Sequence, residues 1–294
     1  MKEEKWLDKN ARSLKGKVVA ITGSTGGLGK EIVFKLAYLG ASLILLDRNQ
    51  QKALALEEEV LAKYPNVKIR RFQIELSDVL SVKKVCQSLQ NERLDGLILN
   101  AGVYHIPKEK SGLGYDKLFQ TNFISQYFLV KQLLPNLEKS GGKVVAVGSK
   151  AYSYNKTDFE DIDFSKNSTP RYVYGNSKRF LMFSLIELFK KQTKASLSIV
   201  HPGISYTGIM ANYPKWVYKM IALPMKLIFP SPKKASRCVV KGLFDTTQNA
   251  TWIGPRFANI WGNPRKKRLT SFGQQESEKI FEISEKIYER MEKF

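Results

Sequence analysis

Residues 17–29 read KVVAITGSTGGLG. The first six form a β-branched apolar run of strand length, which the glycines end abruptly. From Leu28 onward apolar residues recur at 28, 32, 33, 36 and 39, the spacing of one helical face, and Gly40 closes that helix. Strand, glycine turn and helix therefore follow one another without a linker. Gly23, Gly27 and Gly29 allow a tight turn and bring backbone N–H groups close to a ligand, while the helix N-terminus adds a partial positive charge. In that setting TGSTGGLG (22–29), through Gly23, Ser24, Thr25, Gly27, Leu28 and Gly29, is a candidate pyrophosphate cradle. The bland alternative is a tight turn with no ligand.

The same alternation continues in both directions from this loop. SLILLD (42–47) is a second buried-strand run, followed by a Leu- and Glu-rich helix to about Tyr64. KIRRFQI (68–74) reads as a third strand, and SDVLSVKKVCQSLQ (77–90) opens a helix on a Ser/Asp cap. DGLILN (95–100), KVVAVGS (143–149), SLSIV (196–200) and ATWIG (250–254) supply four more strands. Helices are expected at about 115–138, 171–192 and 274–292, and NPRKKR (263–268) reads as a basic loop. Strands alternating with helices of this length imply an α/β fold: a doubly wound parallel sheet of the Rossmann type, in three α/β/α layers with right-handed crossovers. No internal repeat or low-complexity linker interrupts 1–294, so one domain suffices.

Composition narrows the function classes. Hydrophobic residues make up 43% and charged residues 26% of the 294, the balance of a globular chain with ample core. The two cysteines, Cys86 and Cys238, have no paired spacing, which suits a reducing compartment. Two histidines, His105 and His201, are too few for a His-rich metal site, and no metal is expected. MKEEKWLDKNARSLKGK at the N-terminus lacks the apolar run of a secretory signal. WVYKMIALPMKLIFP (216–230), broken by Lys219, Pro224 and Lys226, falls short of the roughly 20 apolar residues a spanning helix needs. The expected address is cytoplasmic.

Lys and Arg number 48 against 27 Asp and Glu, a formal charge of +21. Between Ile209 and Phe272 there are twelve Lys or Arg against the single acid Asp245. A solvated basic surface is the bland reading; attraction to an anionic ligand or to a membrane surface is the functional one. No nucleic-acid motif accompanies the charge, so a nucleic-acid partner is not expected.

Asp47 ends the second strand, eighteen residues beyond Gly29, close to the offset of about 20 expected for an acid that bonds the adenosine ribose. Its carboxylate would repel a 2′-phosphate and so favours NAD; the neighbouring Arg48 keeps NADP as the alternative. In RYVYGNSKRF (171–180), Tyr174 and Lys178 stand at i and i+4 on one helical face. A phenol of pKa about 10 is a poor base at neutral pH, and a nearby ammonium would lower that value. Tyr172 has Asn176 at the same offset and cannot work in this way. Ser149 at the end of the fifth strand would point into the same region, and Asn122 in the long helix before it could anchor a water leading to Lys178. Taken singly, each has an ordinary structural reading.

Together these motifs make the chain resemble the short-chain dehydrogenase/reductase family over roughly residues 15–255. The matches are TGSTGGLG (22–29), LNAG (99–102), Asn122, Ser149, YGNSK (174–178) and HPGISYT (201–207). The 25-residue gap from Ser149 to Tyr174, with DFEDIDF inside it, and FANIWGNP near the end resemble the retinol-dehydrogenase-like branch. The resemblance implies a tetrad of Asn122, Ser149, Tyr174 and Lys178. It places Lys178 also on the nicotinamide ribose, and Thr207 with the Pro202, Gly203 and Ile204 backbone at the carboxamide. It sets Asn100, Ala101 and Gly102 beside the cofactor ribose, and Glu75 and Leu76 at the adenine, where Asp is more usual than Glu75. Gly148 and Lys150 flank Ser149 where small or polar residues are more usual, and Lys150 points to a polar or anionic substrate. The segment 205–232 would close over the substrate, with Met210, Tyr213, Trp216, Tyr218, Met220 and Ile221 available to line an apolar pocket and lysines suited to peripheral membrane contact. Residues 272–294 would form a helical extension. Relatives commonly pair through the helices at 115–138 and 171–192, which implies a homo-dimer or tetramer.

The leading expectation is an NAD(P)-dependent oxidoreductase interconverting an alcohol and a carbonyl on a small to medium hydrophobic molecule. The competing ones are a dinucleotide-binding regulator without turnover and a membrane-surface protein on the same fold.

Overall fold

The computed structural model describes residues 2–190, 193–203, 229–247 and 250–294. Most of the expected substrate cover, 205–228, lies outside them, as do Ile204, Thr207, Met210, Tyr213, Trp216, Tyr218, Met220 and Ile221.

In chain order the elements are α1 (Lys2–Asn10), β1 (Val18–Thr22), α2 (Gly27–Tyr38), β2 (Ser42–Asp47), α3 (Gln50–Lys63), β3 (Ile69–Gln73), α4 (Val79–Leu89) and β4 (Gly96–Leu99). Next come α5 (Lys117–Phe119), a π-helical turn (Gln120–Ile124), α6 (Ser125–Ser140), β5 (Lys143–Val147), a 3₁₀ turn (Lys150–Ser153) and α7 (Pro170–Leu188). The rest are β6 (Ser196–Val200), α8 (Pro232–Phe244), β7 (Thr251–Phe257), β8 (Trp261–Arg268) and α9 (Gln274–Lys293). The sheet order is β3-β2-β1-β4-β5-β6-β7-β8. Its first seven strands are parallel and β8 alone runs antiparallel, against β7. The order reverses between β1 and β4, so a crevice opens beyond the C-terminal ends of those strands.

Period-two alternation explains how the sheet buries both faces. Ala20, Ile44, Leu97, Leu99, Val144, Ala146 and Ile199 point into one core, shared with residues of α4, α6, α7 and α9. Val19, Ile21, Leu43, Leu45, Ile98, Val145 and Val200 point into the other, against α2, α3 and α8.

One feature departs from the sequence expectation. NPRKKR is not a loop: it belongs to β8, whose Lys266 and Lys267 stand opposite Ile253 and Trp252 of β7. The strand forms because β7 offers a free edge, even though β8 has no apolar alternation of its own. The outer face of α6 and α7, the pair through which relatives commonly associate, carries α9. Ser284 bonds Ser184 at 2.6 Å, Ser277 donates to Glu187 at 2.6 Å, Arg179 pairs with Glu276 at 2.6 Å, and Tyr127 donates to Glu285 at 2.6 Å. Ile280, Ile287 and Met291 form the buried face of that helix. Pairing through α6 and α7 would have to be made over α9.

Candidate active site

The glycine loop is built by contacts that only glycine permits. Gly23 sits at φ +66°, and its N–H donates to the Leu46 carbonyl at 2.9 Å. Gly29 lies so close beneath it that a Cβ there would fall 2.1 Å from the Gly23 carbonyl oxygen. Gly27 is different: a Cβ would meet only Pro232 Cγ, at 3.9 Å. The protein's own packing therefore does not require glycine at 27, and the open space lies at the N-terminus of α2, where an anion is favoured.

Asp47 is 2% exposed and reaches back into that loop. One carboxylate oxygen accepts from the Thr25 N–H at 3.0 Å and from Thr25 Oγ1 at 3.0 Å, and the other accepts a short bond from Ser24 Oγ. Both oxygens thus fix the loop, a role the sequence reading did not assign. Arg48, next along the chain, has a side chain 79% exposed and approaches Glu75 at 3.6 Å. Glu75 also accepts from the Ser77 N–H at 3.0 Å, and the Leu76 carbonyl accepts from Ser125 Oγ at 2.6 Å.

The end of β4 is tied to the end of β1. Asn100 donates its side-chain amide to the carbonyls of Thr22 at 3.1 Å and Gly23 at 2.8 Å. Thr22 Oγ1 accepts from the Asn100 N–H at 3.1 Å and the Ala101 N–H at 3.0 Å. Buried Gln126 donates to the Ala101 carbonyl at 2.8 Å. Thr22 and Gln126 are supports that sequence reading missed, because a strand-end Thr and a helix Gln have no distinctive spacing. Asn100 Oδ1 is left buried and without a partner, an acceptor that a ribose hydroxyl could satisfy. With Gly27 and the cradle around Gly102, the chain fits a dinucleotide laid along this crevice.

The remaining expected groups converge at the C-terminal end of β5. Ser149 follows the strand, caps the 3₁₀ turn by accepting from the Ala151 N–H at 3.2 Å, and bonds Tyr174. That contact depends on Gly175, where a Cβ would lie 2.8 Å from the Ala151 carbonyl; only a bare backbone lets α7 come so near the turn. Tyr174 is half-buried, and burial raises its pKa above the ordinary value, with the Ser149 hydrogen bond opposing. Lys178 is 3% exposed; burial lowers its pKa to about 8. Its Nζ donates to the Val147 carbonyl at 2.9 Å and lies 6.0 Å from the centre of the Tyr174 ring. The expected lowering of the phenol by this ammonium is therefore not found in the protein alone. Desolvation dominates both groups, and the ammonium is directed at a backbone carbonyl.

Asn122 falls in the π-helical turn, a local widening common at functional sites. Its side chain clasps Val103, accepting from the Val103 N–H at 2.8 Å and donating to the Val103 carbonyl at 2.9 Å. A Cβ on Gly102 would lie 3.5 Å from both Asn122 Oδ1 and Lys178 Nζ, so the four elements carrying 102, 122, 149 and 174–178 meet at one place. Tyr104, which the sequence reading passed over, stands edge-on to Tyr174 with ring centres 5.1 Å apart. Its only sequence signal is its position just beyond LNAG. Tyr172 is structural: its hydroxyl accepts from the Asp158 N–H at 3.1 Å and its carbonyl from Asn176 at 3.0 Å. Pro202 and Gly203 follow β6 at the same end of the sheet, Gly203 at φ +83°. Among the described residues no group of three or more potential metal ligands occurs.

Residues 17–161 match the family model described as short chain dehydrogenase. An uncharacterized oxidoreductase of Schizosaccharomyces pombe is 30% identical over 232 residues, covering 74% of this chain and 68% of that protein. The chain belongs to the short-chain dehydrogenase family. Within it, mouse retinol dehydrogenase 14 is 30% identical over 66% of this chain, a stretch spanning 63% of that relative, less than two thirds of its length. Human retinol dehydrogenase 14 is 27% identical over 92% of this chain and 85% of its own length. Among solved structures, a protein from Mycobacterium paratuberculosis superposes with a TM-score of 0.76 at 22% identity, covering 95% of both chains. A short-chain dehydrogenase from Sphingobium yanoikuyae in complex with NADPH superposes with a TM-score of 0.59 at 20% identity, over 77% of this chain and 84% of that one. These structures share the doubly wound short-chain dehydrogenase fold.

Proposed function

We propose that this protein is an NAD(P)-dependent oxidoreductase that interconverts an alcohol and a carbonyl on a small to medium, hydrophobic molecule. The observation that carries the reading is the meeting of Ser149, Tyr174 and Lys178 beside the crevice that the glycine loop opens. A regulator that only bound dinucleotide would have no physical use for the Ser149–Tyr174 hydroxyl pair held beside that ammonium.

When bound, the dinucleotide supplies or accepts the hydride. Gly27 and the α2 N-terminus would receive its pyrophosphate, Asn100 and Gly102 its ribose, and Lys178 the ribose nearest the reacting ring; Ile204 and Thr207 would hold the carboxamide. Ser149 would hold the substrate oxygen. Tyr174 would pass a proton to that oxygen during carbonyl reduction and take one from the hydroxyl during oxidation. Its raised pKa keeps the phenol protonated, the form needed to reduce a carbonyl. Lys178, with a pKa near 8, can exchange a proton close to neutral pH and so reload the phenol.

NAD(H) is the proposed cofactor, because an acid, Asp47, ends β2 at the offset from the glycine loop that disfavours a 2′-phosphate; exposed Arg48 is the feature that favours NADP(H). Residues 1–294 are read as one domain with a substrate cover over about 205–232. The relatives named retinol dehydrogenases favour a lipid-like alcohol or its carbonyl. The direct test is a panel of alcohols, aldehydes and ketones with NADH, NADPH and their oxidised forms, read by nicotinamide absorbance. Turnover with an apolar member supports the proposal. Tight dinucleotide binding with no turnover across the panel would instead identify a regulator.

A further inference from the structure

The hairpin of β7 and β8 carries a surface that the reaction does not use. Phe257 is 58% exposed and Trp261 43% exposed, and the two stand directly opposite each other across the hairpin. Gly262 turns at φ +93°, and a Cβ there would lie 3.0 Å from the Phe257 ring, so the backbone makes room for that ring at the tip. The Arg256 guanidinium lies 5.3 Å from the centre of the same ring. Arg265, Lys266 and Arg268 are exposed along β8, and from Thr246 to Gln275 the sequence has no Asp or Glu. Exposed Lys233 and Lys234 begin α8, which is tied to β8 by an Arg237–Asn263 hydrogen bond of 3.4 Å.

The hairpin tip also has a defined place relative to the site. A Cβ on Gly203 would lie 3.1 Å from Pro255 and 3.2 Å from the Ile260 carbonyl, so the tip packs against the chain leaving β6. The Gly148 N–H, beside Ser149, donates to the Val200 carbonyl at the end of β6, at 2.8 Å. Hairpin tip and Ser149 are therefore at the same end of the sheet.

Lys, Arg and Pro on an edge strand blunt it against pairing with other sheets, which accounts for Pro264 through Arg268. That reading leaves two aromatic rings exposed at the tip without a reason. Aromatic side chains set in a basic hairpin whose own sequence has no acid are the composition of an interfacial anchor, rings at headgroup depth and cations on lipid phosphates. We propose that the β7–β8 hairpin docks this protein on an anionic phospholipid surface, with Phe257 and Trp261 entering the headgroup region and Arg256, Arg265 and Lys266, which flank the tip on both faces, facing the phosphates. A second copy is the poorer occupant, because two such basic surfaces repel. Nucleic acid is also poorer, because the rings face each other across the strands and Arg256 lies over one of them. Docking would turn the mouth of the site toward the surface from which an apolar substrate is drawn.

The test is co-sedimentation of the full chain with vesicles of phosphatidylcholine alone and of phosphatidylcholine mixed with phosphatidylserine, independent of turnover. Binding is expected only to the mixed vesicles, and it should weaken as salt rises. The double variants Phe257→Ser/Trp261→Ser and Arg265→Ser/Lys266→Ser should each bind more weakly by roughly tenfold or more. Tryptophan emission of the wild-type protein should shift to the blue on the mixed vesicles, and this shift should be smaller in Trp261→Phe. No binding to mixed vesicles at low salt overturns the proposal, as does binding that both double variants leave intact. So does equal binding to duplex DNA that the aromatic pair does not influence, or a concentration-dependent dimer that Trp261→Ser abolishes.

Discussion

The two halves of the crevice are built on opposite principles. On the dinucleotide side nearly every polar group is satisfied by the protein itself: Asp47 by Ser24 and Thr25, and the Asn100 amide by Thr22 and Gly23. On the reaction side the groups are held under strain of another kind. Lys178 is a buried cation with its pKa pushed down to about 8, and Tyr174 a phenol pushed up. The first half is rigid because its contacts stabilise the fold; the second keeps reactive groups at a cost to the fold, as functional sites commonly do. Substitutions should therefore have opposite effects on stability in the two halves.

The largest effect on folding is expected within the glycine loop. Gly29→Ala places a methyl 2.1 Å from a backbone oxygen and should destabilise by about 3 kcal/mol or more, despite the better helix propensity of Ala. Gly27→Ala meets open space and should leave Tm unchanged or slightly raised while weakening dinucleotide binding. Equal Tm values for the two variants would remove the distinction between a packing glycine and a ligand-facing one.

Asp47→Ala comes next. It strands the Ser24 hydroxyl and the Thr25 N–H, at a cost of about 1–3 kcal/mol. Thermal melting should reveal that loss, and titration should show weaker binding of both NADH and NADPH with a shift of preference toward NADPH. Arg48→Ala should leave Tm alone and weaken NADPH only. If Asp47→Ala melts like the wild-type protein, the carboxylate is not a loop support.

On the reaction side the sign reverses. Lys178→Met should abolish turnover yet raise Tm at pH 7, by the equivalent of about 1–3 kcal/mol, because a desolvated charge is removed. The folded pKa of about 8 lies below the unfolded value of about 10.5, so the folded protein binds fewer protons in that window. Wild-type stability should accordingly gain on this account as pH rises from about 8 to about 10.5, and the variant should lack that gain. A lower Tm for Lys178→Met would mean that its bond to the Val147 carbonyl outweighs desolvation.

Much of this architecture is legible in the sequence, because the strands of a two-faced parallel sheet are short continuous apolar runs and the helices between them keep their period. The glycine loop and the Tyr174–Lys178 spacing are local patterns and can be read directly. β8 is not, since WGNPRKKR has no apolar alternation and becomes a strand only because β7 offers an edge. α8 carries a buried stripe of Ala235, Cys238, Val239 and Val240, preceded by Ser231 and Pro232, a signal that was present but passed over. The inward turn of the Asp47 carboxylate, the aim of Lys178 Nζ at Val147 and the approach allowed by Gly175 are tertiary facts. They depend on which backbone comes near which side chain, and no spacing along the chain encodes them.

The central claim is that the Tyr174 hydroxyl exchanges the proton with the substrate oxygen. Its most direct test is Tyr174→Phe, assayed for turnover on a substrate the wild-type protein accepts and titrated with dinucleotide in parallel. The account predicts that turnover falls by about a thousandfold or more while dinucleotide affinity stays within about threefold of the wild-type value. Turnover near the wild-type rate, with binding unchanged, would contradict it.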